Sequence, residues 1–317
     1  MIAAALCCLQ GCAYLGALRH TYSAQAVPAQ QFRFHDGGQA IYFSLDKSLR
    51  HDGLAEAGAP VETLLFVISG SDCTSMQYFL PQYFRGLEGE SGPLRIFILQ
   101  KRHIDPRTWG RSWGCSEEFI RADHPAQWIA DQSEFIHAQL ALVRTAPMRP
   151  RRIVLAGISE GGEIVPSVAQ FIPDLTHAVI VANGGMDPIN AYRLQASRHG
   201  FTSVLDALPN LAQPMPADPD AVANRIGGRT WRYWDELKQI KYAENLLALQ
   251  IPLLVAMGDA DQSVPIESAW ALREGFSQHG KSNLTLLVYP GADHALQSGQ
   301  RSHLADFWHA LDLWLAK

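Results

Sequence analysis

With 317 residues, 47% hydrophobic and 18% charged, the chain can bury one large core, alone or with an insertion. A formal net charge of −5, without any basic run, leaves no electrostatic footprint for a nucleic-acid partner. No apolar stretch reaches the roughly 20 residues that a bilayer-spanning helix needs.

Taken in chain order, the amino end comes first. Ile2 to Leu9 is a short apolar run with the length of a signal-peptide core rather than a membrane helix. Leu9-Gln10-Gly11-Cys12 resembles the lipobox of bacterial lipoproteins, which implies lipidation of Cys12 and a membrane anchor through it. Ala24-Gln25-Ala26 offers an alternative cleavage site, and a disordered apolar tail is the plainer reading. We expect residues 1–26 to be a leader and 27–317 the folded domain of an exported protein, periplasmic or held at the outer membrane. Of five cysteines, only Cys73 and Cys115 lie outside the leader. In an exported chain they are candidates for one disulfide; the alternative is two unrelated buried thiols.

Gln31 to Phe34 and Ala40 to Ser44, joined by Asp36-Gly37-Gly38, read as a hairpin at a sheet edge. Leu64 to Ile68 and Leu94 to Leu99 are apolar strands. Ala126 to Val143 has helical periodicity. Further strands are predicted at Arg152 to Ala156, Ala178 to Ala182, Pro252 to Met257 and Leu284 to Tyr289. Helices are predicted at Glu267 to Ser277 and Leu304 to Leu315. Near-continuous apolar strands alternating with helices predict a mostly parallel α/β sheet covered on both faces. Between Gly185 and Leu249 no strand is legible. Ala191 to Ala207 and Thr230 to Leu249 have helical patterns, so a helical cap insertion is expected at about 186–249.

The chemistry concentrates at three strand ends. Ile153 to Ala156 runs into Gly157-Ile158-Ser159-Glu160-Gly161, and a small-residue helix follows. Strand, G-x-S-x-G, helix is the context of a nucleophile elbow: the tight turn needs glycine two residues either side of the serine. A serine needs a base within hydrogen-bond reach, and the base needs an orienting acid. Gly258-Asp259-Ala260-Asp261-Gln262-Ser263-Val264-Pro265 follows the strand ending at Met257. Tyr289-Pro290-Gly291-Ala292-Asp293-His294 follows the last strand. These three segments resemble the elbow, acid loop and histidine loop of the α/β-hydrolase superfamily. Gly157-Ile158-Ser159-Glu160-Gly161-Gly162 is similar to the G-x-S-E-G-G elbow of bacterial esterase-like hydrolases. The resemblance covers about Val61 to Lys317. It implies an α/β-hydrolase fold and a triad of Ser159, Asp261 and His294. Asp259 is the rival acid, and Asp293 is read as a solvated or turn-forming residue.

An oxyanion hole needs two backbone N–H groups. That of Glu160 is expected to be one. The second is expected in Ser69-Gly70-Ser71-Asp72-Cys73, with Ser71 first choice and Asp72 second. The Glu160 carboxylate falls in the first turn of a helix, where negative charge is favourable by a few tenths to about 1 kcal/mol. Trp231 and Trp234, and Trp109 with Trp113, are candidate pocket walls; for the first pair, an apolar face packed on the core is the competing reading. If the two loops carrying Cys73 and Cys115 emerge at one end of a parallel sheet, their sulfurs can meet beside the oxyanion loop. No metal-ligand spacing, phosphate loop or dinucleotide fingerprint occurs, so no cofactor or metal is expected. The resulting expectation is a serine hydrolase of carboxylic esters acting through an acyl-enzyme, with a small-molecule ester or amide as its partner. The alternatives are a short-peptide or aminoacyl peptidase of the same fold, and a non-catalytic binding protein on a hydrolase scaffold.

Overall fold

Strands that are apolar at every position have both faces to bury, so helices must cover the sheet twice. In the computed structural model, which describes residues 27–48, 61–80, 82–110, 114–144, 149–200 and 214–317, eight strands form one sheet. The leader with Cys12, and Trp113, lie outside the described residues. The strands are β1 (Gln30–Arg33), β2 (Gln39–Lys47), β3 (Thr63–Ile68), β4 (Leu94–Leu99), β5 (Arg152–Ile158), β6 (His177–Val181), β7 (Leu253–Gly258) and β8 (Leu284–Tyr289). Their order is β1-β2-β4-β3-β5-β6-β7-β8. All pairings from β4 to β8 are parallel, whereas β2 runs antiparallel to β4 and β1 antiparallel to β2. This is the α/β-hydrolase fold.

The helices are α1 (Glu117–Ala122), α2 (Pro125–Arg144), α3 (Glu160–Ala169), α4 (Pro188–His199), α5 (Trp231–Leu237), α6 (Tyr242–Ala248), α7 (Glu267–Gln278) and α8 (Leu304–Leu315). Alternation along β3 divides the core. Leu64, Phe66 and Ile68 point to one face, where α2, α3, α6 and α7 supply Phe135, Val165, Leu246 and Leu272. Leu65 and Val67 point to the other, where α8 and two short 3₁₀ turns supply Phe307, Trp308, Phe84 and Met76. Among the described residues no helix is long and apolar enough to cross a membrane.

Two clamps hold the frame. The edge hairpin turns at Asp36, whose carboxylate accepts from the Gly38 N–H at 2.8 Å, with Gly37 at φ 87°. On the far face, the fully buried Asp312 of α8 accepts from the backbone N–H groups of Glu88, Gly89, Glu90 and Ser91 and from the Ser91 hydroxyl, at 2.8–3.1 Å. Five donors offset the cost of burying one carboxylate.

The span between β6 and β7 carries α4, α5 and α6, and no strand among its described residues. The predicted helix from Thr230 to Leu249 is two helices, broken between Leu237 and Tyr242. The second belongs with the main core, since Tyr242 and Leu246 pack there. The first forms a small core of its own: Tyr233, Trp234 and Leu237 are buried against Ile189, Ile226 and Ile240.

Candidate active site

β5 ends at Ile158, and the chain then reverses into α3 through Ser159 at φ 56°, ψ −124°. A Cβ on Gly157 would lie 2.4 Å from the Gly161 carbonyl oxygen. One on Gly161 would lie 2.4 Å from the carbonyl oxygens of both Ile68 and Ser69. Only glycine fits at either place, which is the physical reason for the motif's spacing. The turn is fixed by Ser159 N–H to the Val181 carbonyl at 2.7 Å and by Gly162 N–H to the Ser159 carbonyl at 2.9 Å.

Strain is concentrated at this end of the sheet. The described non-glycine residues with positive φ are Asp72, His103, Ser159, Ala182 and Leu296, and each lies in a loop beyond the carboxyl end of a strand. Such conformations cost on the order of 1–3 kcal/mol each and persist where surrounding structure enforces them.

The acid and histidine loops are stitched together. Gly258 approaches so closely that a Cβ there would lie 2.1 Å from the Ala292 carbonyl oxygen. Ala260 N–H donates to that same carbonyl at 3.0 Å. Asp259 accepts from Gly291 N–H at 2.6 Å, so it joins the loops rather than reaching the imidazole. Asp261, its side chain fully buried, accepts from the N–H groups of Ser263 and Val264 through Oδ1, at 2.7 and 2.9 Å. Its Oδ2 lies 2.7 Å from His294 Nδ1, and His294 Nε2 lies 2.8 Å from Ser159 Oγ. Ser159, His294 and Asp261 therefore form one continuous hydrogen-bonded chain. An imidazole so held can take the serine proton while its own positive charge is stabilised from behind. Asp293 forms a turn, accepting from Ala295 and Gln297 N–H at 2.9 Å.

The loop from Ser69 to Cys73 lies against the nucleophile: a Cβ on Gly70 would be 3.3 Å from the Ser159 Cβ. Cys73 and Cys115 are bridged, with Cα atoms 5.7 Å apart. Thr74 and Ser75 add hydrogen bonds to the Gly110 and Thr108 carbonyls at 2.7 and 2.9 Å. Closing a loop of 42 residues stabilises by about 3–4 kcal/mol on chain-entropy grounds. The Cys73→Ser/Cys115→Ser double variant should therefore melt earlier and, with the Ser71 loop released, turn over more slowly. Thermal melts and ester kinetics on the same preparation check this; unchanged turnover would separate the bridge from the chemistry.

The candidate walls fall differently. Trp234 is 2% exposed, and its indole N–H donates to the Ile226 carbonyl at 3.0 Å. It is interior to the cap cluster, and the pocket role expected for it is corrected: a tryptophan with both ring and N–H satisfied inside the cap presents nothing to a substrate. Trp231 packs at the edge of the same cluster. Trp109 is 43% exposed, its ring 4.9 Å from that of Tyr78 and 6.4 Å from that of Phe79.

Glu160 lies in the first turn of α3, as expected, but it has partners that the sequence did not disclose. Its carboxylate is buried, held by Lys101 Nζ at 2.8 Å, by Arg229 Nη2 at 3.1 Å and by the Tyr233 hydroxyl. Lys101 and Arg229 also both pair with Asp123. One turn on, Asn183 bridges the Ser159 carbonyl and Glu163, at 3.2 and 3.5 Å. Burial, with the Glu160 charge beside it, pushes the Glu163 carboxyl well above its usual range. Lys101, directly beyond an apolar strand, was placeable at this end of the sheet from sequence. Asp123 and Arg229, in loops, were not. Among the described residues no group of three or more His, Cys, Asp or Glu side chains is gathered as a metal site requires.

Residues 134–303, which contain Ser159, Asp261 and His294, match the family described as BAAT / Acyl-CoA thioester hydrolase C terminal. No curated protein sequence matches the chain. Among solved structures, the chain is similar to Est1E from Butyrivibrio proteoclasticus, with a TM-score of 0.54 and 13% identity over 90% of this chain and 98% of that one. It is similar to a soluble variant of monoglyceride lipase from Saccharomyces cerevisiae, with a TM-score of 0.58 and 13% identity over 93% and 97%. Acylaminoacyl peptidase from Pyrococcus horikoshii matches at a TM-score of 0.56 and 13% identity, over 92% of this chain and 41% of that one. At these identities the likeness is one of fold.

Proposed function

The chain belongs to the BAAT / acyl-CoA thioester hydrolase C-terminal family, and from that premise we propose that it is a serine esterase with Ser159, His294 and Asp261 as its catalytic triad. The observation that carries the reading is the unbroken chain Ser159 Oγ–His294–Asp261, with contacts of 2.8 and 2.7 Å. His294 Nε2 accepts the hydroxyl proton as Ser159 Oγ attacks the acyl carbonyl. The N–H groups of Glu160 and Ser71 stabilise the oxyanion. Collapse breaks the carbon–oxygen bond of the ester, and His294 gives its proton to the departing alkoxide. Water, deprotonated by the same imidazole, then releases the acid and restores Ser159.

Two other substrates share this chemistry. The family description favours a thioester, whose leaving group is a thiol. A peptidase is suggested by the acylaminoacyl peptidase among similar folds. Against an aminoacyl substrate stands the Glu160 carboxylate: Lys101, Arg229 and Tyr233 already engage it, so it is not available to receive an ammonium. Export with a lipidated Cys12 belongs to the same proposal, supported by the bridge between Cys73 and Cys115.

The test compares p-nitrophenyl esters of graded acyl length, acyl-CoA thioesters and aminoacyl p-nitroanilides on one preparation, with fluorophosphonate labelling of Ser159 alongside. Esters are expected to turn over fastest. Faster thioesters or anilides would replace the esterase reading, and an unlabelled Ser159 would leave a binding protein on a hydrolase scaffold.

A further inference from the structure

Next to the nucleophile, yet outside the triad, lies a buried quartet of alternating charge. Lys101 leaves the end of β4, Asp123 caps α1, Glu160 opens α3, and Arg229 comes from the cap. Their side chains are 4%, 2%, 9% and 11% exposed. Lys101 touches both carboxylates, at 2.7 Å to Asp123 and 2.8 Å to Glu160, and Arg229 also pairs with both. Tyr233 donates to Glu160 and meets Tyr192 of α4. The Lys101 ammonium rests 3.7 Å from the Trp128 ring centre, and the Arg229 guanidinium 4.7 Å from that of Tyr233.

Burying four charges is not an efficient route to stability: an apolar set of the same volume commonly does as well or better. What such a cluster does supply is geometry. Glu160 is covalently next to Ser159, and the Ser159–Glu160 peptide carries one of the two N–H groups assigned to the oxyanion. Its side chain is gripped by three donors from two separate elements, β4 and the cap. Any tilt of that peptide would strain all three contacts. The cap, through Arg229 and Tyr233, is seated on the same carboxylate.

We propose that the Glu160 side chain is a positioning residue for the nucleophile elbow, held by the Lys101–Asp123–Arg229 cluster and seating the cap at the same point. This rests on Ser159 being the nucleophile. The carboxylate touches no reacting atom; it acts through the direction of its own N–H and through the neighbouring Oγ.

The cluster has a handle in pH. Burial pushes the Lys101 ammonium down to about 8, with Arg229 adding to that shift and Glu160 and Asp72 opposing it. The groups facing it are Asp72 beyond β3, Asp123 at α1, Trp128 on α2, Glu160 and Glu163 on α3, and Arg229 on the cap. Above about pH 8, losing this proton leaves one cation for two carboxylates and loosens the grip on Glu160.

The rate of Ser159 labelling by a fluorophosphonate tests this without assuming any natural substrate. In Glu160→Gln the rate is expected to fall by about 10- to 100-fold, less than the 10²–10³ expected for deleting an oxyanion donor. kcat on p-nitrophenyl acetate should fall in parallel, with KM nearly unchanged. Wild-type protein should show a decline in labelling on the alkaline side, near the Lys101 value of about 8. Lys101→Met, which keeps the unbranched apolar stem and removes the charge, should lower the rate and abolish that decline. Lys101→Met also serves if Glu160→Gln does not fold. Wild-type labelling rates in a folded variant, or an alkaline decline that survives in Lys101→Met, would overturn the inference. If wild-type protein itself is not labelled, it is the assignment of Ser159 that fails.

Discussion

Turnover in Ser159→Ala is expected to fall by about 10³-fold or more, with the fold intact. The alanine keeps the backbone turn, since Gly157 and Gly161, not the side chain, make room for it. What disappears is Oγ. His294 then loses a partner at Nε2, but its side chain is 32% exposed, so water replaces the lost contact and stability should change by no more than about 1 kcal/mol. His294→Ala should be comparably inactive. Both belong to one hydrogen-bonded unit, so the double variant should be little worse than either alone. Steady-state kinetics with a thermal melt of each variant are sufficient. Near wild-type turnover in a folded Ser159→Ala protein would dispose of the triad.

The second large effect is expected from Asp261→Asn, at about 10³- to 10⁴-fold in kcat, and the reason is directional. Oδ1 of Asp261 accepts from two N–H groups, those of Ser263 and Val264. An amide nitrogen cannot stand there, so the asparagine oxygen takes that place and its NH₂ faces His294 Nδ1. The imidazole must then accept at Nδ1 and carry its proton on Nε2, where it cannot receive the serine proton. Asp259→Asn offers the control. Its single contact, from Gly291 N–H, can be made equally well by an amide oxygen. Should Asp259→Asn prove the more damaging of the two, the acid has been misassigned.

Strands announced themselves because a parallel sheet buried on both sides demands unbroken apolar runs; β4 was legible to its bounds, and so was α8. The triad was legible because each member lies a few residues beyond such a run, in a loop with a recognisable glycine. Trp231, Tyr233, Trp234 and Leu237 were ambiguous for a different reason. An apolar helical face reads the same whether it covers a pocket or packs inside a cap, and only Ile189 and Ile226, distant in sequence, decide between them. The break after Leu237 was equally hidden: no proline or glycine marks it. The Lys101–Asp123–Glu160–Arg229 cluster was invisible as a unit because its members are 22 to 128 residues apart along the chain. Only the proximity of Glu160 to Ser159 hinted at it.

The Asp312 clamp bears on the order in which the molecule can be finished. Its five donors belong to residues 88–91, which are synthesised 221–224 positions earlier. Until α8 emerges from the ribosome, these N–H groups have only water to donate to, and the apolar face of β3, β4 and β5 that receives Phe307, Trp308 and Leu311 stays open. Growth of the nascent chain therefore cannot complete this half of the protein domain by domain. This half of the core is complete only with α8 docked and its carboxylate inside the ring of amides.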